Sequence, residues 1–280
     1  MCRKIAGMAA VHPVDDSDDP RVADFVALND PDLRRRREHR DGAGFFVAEG
    51  VLVIQHLLRS PYPVRSLLVS ERGLRALDGQ LDVVDAPVYL VAPPVLERIC
   101  GFNFHRGALA SAGRLPLPDL ATATAGAALV VVVEGVNDHE NLGALFRNAA
   151  AFGAGAVVLD PTCADPLYRR SIRVSMGHVL RLPFTRAAPW PGGIAELQAS
   201  GFEVIALTPS HEAEDVRTLE PASLARRRAL LVGAEGRGLS PRALAAADRR
   251  VRITMAPGVD SLNVATAAAV ALYQLTNRGR

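Results

Sequence analysis

Three segments in the second half of the chain have the residue types and layout of a ligand site. Each is an apolar run that breaks at small or polar residues and leads into the start of a helix: residues 131–143, 230–236 and 253–264. In open α/β folds, loops at the carboxyl ends of strands expose backbone N–H groups and helix starts, and ligands bind there. The three loops together predict one ligand site.

The composition of these loops argues against two common nucleotide sites. The loop at residues 134–141 lacks the G-x-G-x-x-G pattern of a dinucleotide fold, and residues 233–238 offer only one glycine cluster. Lys4 is the only lysine, so a phosphate-cradling lysine in a late loop is excluded. A nucleotide-dependent oxidoreductase is therefore a disfavoured alternative.

The cysteines and histidines do not have the spacing of a metal site. Cys2, Cys100 and Cys163 lie far apart with no C-x-x-C pair, so neither a zinc site nor a disulfide framework is indicated. His139, His178 and His211 form no ligand cluster by spacing. We expect reduced thiols and no bound metal.

The elements that must position the three loops alternate between strands and helices. Continuous apolar runs are typical of parallel strands buried on both faces. They occur at residues 127–134, 156–159, 204–207, 229–232 and 251–253. Residues 142–152 carry an apolar stripe at helical spacing, and residues 264–275 predict an alanine-rich helix buried almost all round. The alternation predicts an α/β fold with a parallel sheet.

A smaller α/β domain is predicted ahead of this one. Strands are predicted at residues 45–48, 64–69 and 88–91, with a helix at 50–58 and another that opens near Pro93. The predicted domains are a mobile tail rich in aspartate, an amino-terminal domain, a linker of proline, glycine and small residues, and a carboxyl-terminal domain. Their bounds are 1–19, 20–110, 111–126 and 127–280.

Composition and charge narrow the class of protein. A chain of 280 residues that is 49% hydrophobic can form two domains with real cores, and no apolar run reaches the ~20 residues that span a bilayer. We therefore expect a cytoplasmic protein without a membrane partner. The net charge of +2 says little about nucleic acid, since local potential matters more. Candidate RNA contacts are the basic or aromatic stretches 34–37, 102–106 and 168–173.

Residues 141–149, 232–239 and 253–264 resemble the three motifs of the SpoU (TrmH-like) branch of the SPOUT RNA methyltransferases. The order and the spacing of the motifs also fit. The resemblance is strong over residues 127–275, and residues 168–177 also resemble a segment of the family. Weaker segments at 45–49 and 101–107 resemble its amino-terminal RNA-binding domain. Two positions depart from the usual pattern: Thr254 replaces a common proline and Ala265 a common serine.

The resemblance implies an enzyme that uses S-adenosyl-L-methionine to methylate a ribose 2′-hydroxyl of RNA. It implies a homodimer, a trefoil knot in the carboxyl-terminal SPOUT domain and a smaller amino-terminal RNA-binding domain. Ribosomal RNA is favoured over transfer RNA only by analogy, because of the extra domain. The alternative is a non-catalytic RNA-binding module of the same fold.

The resemblance also assigns roles to individual residues. The residues that match cofactor-holding positions are Gly233, Glu235, Gly236, Ile253 and Leu262, and those that match catalytic positions are Arg147, Asn141, Glu235, Ser261 and Asn263. The same residue types also have plain structural explanations, such as a turn glycine, core aliphatics, or helix caps at Asn141, Ser261 or Asn263. Glu235 can pair with Arg147 or order its own loop.

Arg147 matches the catalytic arginine of the family, and its role has two versions. A guanidinium is effectively never deprotonated in proteins, so a literal general base is costly. The other version is a clamp on the phosphate beside the target ribose that also polarises the 2′-hydroxyl, with the proton leaving through that phosphate or water. An activated methyl held about 3 to 3.5 Å from the ribose oxygen and in line with it supplies much of the acceleration.

Overall fold

The computed structural model describes residues 10–28, 44–82, 84–102, 107–220 and 224–276. These residues form two compact units. The first comprises the described residues up to Pro116 together with Leu167–Arg181. The second comprises Leu117–Pro166 and the described residues from Leu182 onward. Helices and strands are numbered along the whole chain.

The first unit is built on a five-stranded mixed sheet. Its strands are β1 (Val11–Val14), β2 (Phe45–Glu49), β3 (Val64–Val69), β4 (Val88–Val91) and β5 (Ala108–Gly113). They lie in the order β1-β4-β3-β5-β2, and β5 is antiparallel to both of its neighbours while the other pairs are parallel. Its helices are α1 (Val51–Leu57), α2 (Glu71–Ala76), α3 (Pro93–Cys100) and α6 (Arg169–Val174).

Helix α3 shows how the local sequence sets these elements. It begins at two prolines, which suit the first helical positions because their missing N–H groups would be unpaired there. Its apolar residues Val95, Leu96, Ile99 and Cys100 recur at helical spacing and are buried in the core of the unit. It ends at Gly101, whose φ of 78° lies in the left-handed region that favours glycine.

Both segments predicted to lack regular structure contain strands. In the predicted mobile tail, β1 pairs in parallel with β4, and Asp19 caps a 3-10 helix at Pro20–Phe25, so that prediction is wrong for these residues. Residues 1–9 of the tail lie outside the described part of the chain. The predicted linker begins inside β5, which lies between β3 and β2. The alanine and serine residues of β5 are buried, but such small side chains carry no visible period.

The second unit contains a seven-stranded sheet in which every pair is parallel. Its strands are β6 (Leu129–Glu134), β7 (Ala156–Leu159), β8 (Phe184–Arg186), β9 (Phe202–Leu207), β10 (Glu214–Asp215), β11 (Arg227–Gly233) and β12 (Arg249–Arg252). Their order is β10-β12-β9-β11-β6-β7-β8. Its helices are α4 (Leu120–Ala123), α5 (His139–Ala151), α7 (Gly192–Ala199), α8 (Pro241–Ala246) and α9 (Val264–Thr276), with a 3-10 helix at Val216–Thr218.

The buried runs of this sheet confirm the predicted α/β fold with parallel strands. Every residue of β6 and β7 is buried, as expected for central strands covered on both faces. The short strands β8 and β10 were not predicted. Helix α9 differs from the prediction of burial all round, because Val270 and Tyr273 are 41% and 60% exposed on one face. The knot stays a prediction.

The segment Leu167–Arg181 belongs in space to the first unit, although the sequence analysis assigned it to the carboxyl-terminal domain. Arg169 forms an ion pair of 3.2 Å with the buried Glu49, and its guanidinium lies 4.8 Å from the centre of the Phe102 ring. Gly177 packs against His56, where a Cβ atom would lie 3.0 Å from that of the histidine. These contacts give the basic helix a structural role within the unit.

No helix among the described residues has the length and apolar character needed to cross a bilayer. The two cysteines in the described ranges, Cys100 and Cys163, are free and buried, and burial raises the pKa of each thiol to about 12. Such thiols stay protonated and unreactive at neutral pH.

Candidate active site

The three loops singled out in the sequence follow β6, β11 and β12, whose carboxyl ends lie at one edge of the second sheet. β6 and β11 are neighbours, with Glu134 opposite Gly233 in the register, and β12 lies beyond β9. Because all these strands are parallel, the loops that follow them emerge on the same side. The topology therefore brings together residues that are distant in the sequence.

The loop after β11 is a tight turn that only glycine permits at its first position. A Cβ atom on Gly233 would lie 2.3 Å from the carbonyl carbon of Gly238, which is too close for any side chain. The N–H of Gly238 donates to the carbonyl of Ala234 at 2.9 Å, and Gly236 and Gly238 have φ angles of 78° and 64°. The turn holds Glu235 between its two ends.

A buried carboxylate fixes the chain just after this turn. Glu134, at the end of β6, is 8% exposed and accepts hydrogen bonds from the indole N–H of Trp190 at 2.6 Å and the backbone N–H of Ser240 at 2.8 Å. Ser240 in turn caps α8. Sequence reasoning missed this role for Glu134, although a single acidic residue at the end of a wholly apolar run was a usable signal.

The side-chain amide of Asn263 joins all three loops. Its oxygen accepts from the backbone N–H groups of Ala265 and Thr266 at 3.0 and 3.2 Å and so caps α9. Its nitrogen donates to Oδ1 of Asn141 at 2.7 Å and to Oε1 of Glu235 at 2.8 Å. Two of the other predicted catalytic residues, Asn141 and Glu235, are therefore hydrogen-bonded to Asn263.

Asn141 itself does not cap its helix. Asp138 caps α5 by accepting from the N–H groups of Glu140 and Asn141, so Asn141 lies in the first turn with its side chain available to Asn263. Further along α5, Arg147 is exposed, and its side chain forms no hydrogen bond or ion pair with any described residue. Glu235 is bonded to Asn263 and forms no ion pair with Arg147 in the described ranges.

A cavity of about 580 Å³ opens beside this junction. All the predicted cofactor-holding residues line it, namely Gly233, Glu235, Gly236, Ile253 and Leu262. Ser261 and Asn263 line it as well, whereas Asn141 and Arg147 do not. The lining residues that were not predicted are Leu207, Thr208, Pro209, Val232, Ala234, Gly238, Met255, Asp260, Val264 and Ala267. Val232, Ala234 and Val264 are aliphatic or small residues that adjoin predicted ones, without a signal of their own. Leu207, Thr208 and Pro209 belong to the end of β9 and the loop after it, which was not among the predicted loops.

The chain that leads from β12 into the third loop is fixed by Asp215 on the adjacent strand. Its carboxylate accepts from the hydroxyl of Thr254 and from the guanidinium of Arg217, at 3.0 Å from Nε and 2.7 Å from Nη2. The hydrogen bond from Arg217, with a further one from Thr254, holds the pKa of Asp215 well below its usual range. Thr254 thus anchors the loop where the family commonly has a proline.

The remaining predictions concern the absence of a metal site and the candidate contacts to RNA. Within the described residues, no three histidine, cysteine or acidic side chains are grouped so that they could hold a metal ion. Of the candidate RNA contacts, residues 34–37 and 103–106 lie outside the described ranges. Phe102 packs partly against the core of the first unit, in addition to its contact with Arg169.

The sequence and the fold of this chain are both similar to those of known RNA methyltransferases. The sequence model of the SpoU rRNA Methylase family matches residues 128–273. An uncharacterized tRNA/rRNA methyltransferase of Mycobacterium tuberculosis is 49% identical over an alignment of 280 residues, which covers 98% of this chain and 96% of the relative. The 23S rRNA (guanosine(2553)-2′-O)-methyltransferase RlmP of Bacillus subtilis is 27% identical and covers 85% of this chain and 91% of its own length.

A solved structure, the AdoMet-bound rRNA methyltransferase of Sinorhizobium meliloti, superposes with a TM-score of 0.77 at 26% identity. The match covers 95% of this chain and 97% of that one. Because the family matches more than half of the chain and the mycobacterial relative matches nearly all of it, this chain belongs to the SpoU family of RNA methyltransferases.

Proposed function

We propose that this chain transfers the methyl group of S-adenosyl-L-methionine to a ribose 2′-hydroxyl of RNA. The proposal is carried by the junction at Asn263, which joins Asn141 and Glu235 beside a cavity of about 580 Å³. The Bacillus relative, named a 2′-O-methyltransferase of 23S rRNA, supports the ribose hydroxyl as the target and ribosomal over transfer RNA as the substrate.

The cavity fits this cofactor in size and in chemistry. Its volume lies within the roughly 300–1,000 Å³ of small-molecule sites. Aliphatic side chains such as Ile253 and Leu262 suit the faces of an adenine ring, and the backbone groups of Leu262 have no hydrogen-bond partner among the described residues. The carboxylates of Glu235 and Asp260 offer acceptors for hydroxyl and ammonium groups.

The same lining disfavours the oxidoreductase alternative. No arginine, lysine or histidine is found among the described residues that line the cavity, while two carboxylates are. A nicotinamide dinucleotide would bring a pyrophosphate, whose negative charge would meet those carboxylates without a compensating cation. The cofactor of the proposed reaction carries no phosphate.

When bound, the cofactor supplies a methyl group already activated on a sulfonium. The remaining work of the protein is orientation and proton handling. We assign to Asn141, Glu235 and Asn263 the positioning of the reacting groups, since the two hydrogen bonds that Asn263 donates to the others tie three loops together. Ser261, an exposed hydroxyl on the cavity wall, can orient the ribose.

Arg147 acts in this proposal as a fixed cation. Its guanidinium is exposed on α5 and has no ion-pair partner among the described residues, so it is available to an RNA phosphate. A guanidinium stays protonated, so the 2′-hydroxyl proton passes to that phosphate or to water rather than to Arg147. Arg147 polarises the hydroxyl and stabilises the developing negative charge.

The wider features that the family implies are also proposals here. We propose that the first unit presents the RNA and the second carries out the reaction, in a knotted domain, with the enzyme working in the cytoplasm. The exposed apolar face of α9, with Val270 and Tyr273, supports a homodimer.

Transfer of label from methyl-labelled cofactor to RNA tests the function. We expect incorporation into ribosomal RNA from cells that lack this gene, little into RNA from cells that have it, and nuclease digestion that yields a 2′-O-methylated nucleoside. Cofactor binding without any transfer would favour the non-catalytic RNA-binding module. Binding of reduced nicotinamide in a spectral titration would favour the oxidoreductase.

A further inference from the structure

The charged side chains that line the cavity are all acidic among the described residues. Glu235 and Asp260 both line it, and none of its described lining residues is basic. Arg237 lies between two lining glycines but is exposed and is not itself a lining residue. The lining of the cavity therefore carries two negative charges and no positive one among the described residues.

The two carboxylates are not equivalent. Glu235 accepts a hydrogen bond from Asn263, which commits one oxygen to the junction of the loops. Asp260 is exposed on the third loop and has no hydrogen bond or ion pair with any described residue. Only the charge of Asp260 is left entirely for a ligand.

The proposed reaction changes the charge of the ligand in this cavity. The methyl carbon leaves sulfur and bonds to the ribose oxygen, the sulfonium becomes a neutral thioether, and the hydroxyl proton is released. The methyl donor therefore carries one positive charge more than the demethylated product, S-adenosyl-L-homocysteine. The two ligands are otherwise nearly identical in shape, so charge is the property by which a site can tell them apart.

We propose that Asp260 is a specificity-determining residue that makes the cavity prefer the methyl donor to the demethylated product. The inference rests on the proposed function and deepens it. Asp260 attracts the sulfonium and loses that attraction once the methyl group is transferred, which favours product release. Glu235 contributes the same sign of charge, but its tie to Asn263 gives it a positioning role as well.

The size of the effect follows from Coulomb's law. A pair of unit charges about 4 Å apart in water attracts by ~1 kcal/mol, which corresponds to about fivefold in a binding constant. Salt weakens the attraction of an exposed carboxylate, since the Debye length falls to about 3 Å at 1 M. The preference is therefore expected to be moderate and to depend on salt.

Calorimetry with both ligands on the whole protein tests the proposal. Asp260→Asn removes the charge and keeps the shape, and Glu196→Gln is the matched control because Glu196 is an exposed carboxylate on α7 that does not line the cavity. We expect Asp260→Asn to weaken binding of the methyl donor about fivefold, to leave product affinity almost unchanged, and to raise product inhibition relative to donor KM. Glu196→Gln is expected to behave as the unaltered protein.

The salt dependence gives a second readout that does not rely on a variant. The preference of the unaltered protein for the donor should shrink toward that of Asp260→Asn as salt is raised to about 1 M. Equal weakening of both ligands would assign Asp260 to the ammonium group that both carry, and no change in either would make it a solvated loop residue. Either outcome overturns the inference and leaves the proposed function standing. Failure of the unaltered protein to bind either ligand would overturn both.

Discussion

The side chain of Asn263 forms hydrogen bonds to all three elements of the candidate site. Its oxygen caps α9, and its two amide hydrogens go to Asn141 and Glu235. Aspartate or serine would also cap the helix, but neither can donate two hydrogen bonds from that position. The motif therefore requires asparagine for a reason that helix capping alone does not provide.

Replacing Asn263 separates these two tasks. Asn263→Asp keeps the cap but loses both donors and places a carboxylate against Glu235, whereas Asn263→Ala loses the cap as well. We expect Asn263→Asp to lower methyl transfer roughly tenfold or more, as losing a hydrogen bond to a charged group costs about 1.5 kcal/mol. Asn263→Ala should lose about 1 kcal/mol of unfolding free energy in addition. Transfer assays and denaturant unfolding measure the two effects, and full activity of Asn263→Asp would contradict this role.

The role proposed for Arg147 does not show in its contacts. It lies outside the cavity and has no ionic partner in the described ranges, which is the appearance of an ordinary surface arginine. Arg147 differs from other exposed arginines in its position, because it lies on α5, the helix that also carries Asn141.

Arg147→Ala is expected to slow methyl transfer by roughly 100-fold or more, the usual scale for removing one group that stabilises transition-state charge. Cofactor affinity should stay nearly unchanged because Arg147 does not line the cavity. Single-turnover label transfer and calorimetry measure the two quantities. Arg242→Ala, which removes an exposed arginine from α8, is the control for lost charge. Unchanged turnover in Arg147→Ala would remove the residue from the mechanism.

At the scale of elements, the site depends on how strands hold the loops that follow them. Glu134 at the end of β6 fixes the chain after the β11 turn, and Asp215 at the end of β10 fixes the chain after β12. Both are carboxylates that accept several hydrogen bonds, which suits a loop base where backbone and side-chain donors converge. The loops that line the cavity are thus anchored to the strands at their bases.

The low pKa of Asp215 makes its contribution depend on pH. Its pKa is lowered in the folded protein, so its charged form stabilises the fold above the unfolded value of about 3.9 and that stabilisation is lost as pH falls below it. Asp215→Asn should therefore be less stable than the unaltered protein at pH near 7. The difference should shrink below pH about 4. Denaturant unfolding at the two pH values measures it, and a difference independent of pH would contradict the prediction.

At the scale of the whole molecule, the proposed homodimer requires a surface on which two copies can meet. Helix α9 packs on α5, yet it leaves Val270 and Tyr273 exposed, with the Tyr273 ring 6.4 Å from that of Phe152. Two large apolar residues on one helix face are a surface that a second copy can cover. Arg147 lies on the same pair of helices, so association and catalysis are expected to be linked.

Tyr273→Asp tests that link. A charge on this face should convert the proposed dimer into monomers and lower methyl transfer, because a buried unpaired carboxylate disfavours association. Sedimentation and label transfer measure the two effects. Tyr273→Phe keeps the apolar contact and should remain dimeric. Monomers in the unaltered protein would contradict the homodimer.

Several elements were predictable because their local sequence carries the signal. Continuous apolar runs marked the central strands β6 and β7, and the three motifs identified the family and two of the loops that line the cavity, those after β11 and β12. The lining residues Leu207, Thr208 and Pro209 at the end of β9 were not predicted, and the loop after β6 is not among the described lining residues. Helix α9 was predicted in place, but its exposed face was not, because a helix rich in alanine shows little contrast between its sides. Strand β5 was not predicted for a similar reason, because a run of small buried residues shows no periodic pattern of apolar side chains.

The sequence by itself determined the fold class, the family and two of the loops that form the cavity, because burial, caps and turns are encoded by neighbouring residues. Only the tertiary structure decided which side chains meet. Asn263 and Asn141 are 122 residues apart, and the order of strands in the sheet brings their amides within 2.7 Å. The same holds for the segment Leu167–Arg181, which leaves the second unit in space to pair Arg169 with Glu49. Such contacts depend on the global path of the chain, on which local patterns carry no information.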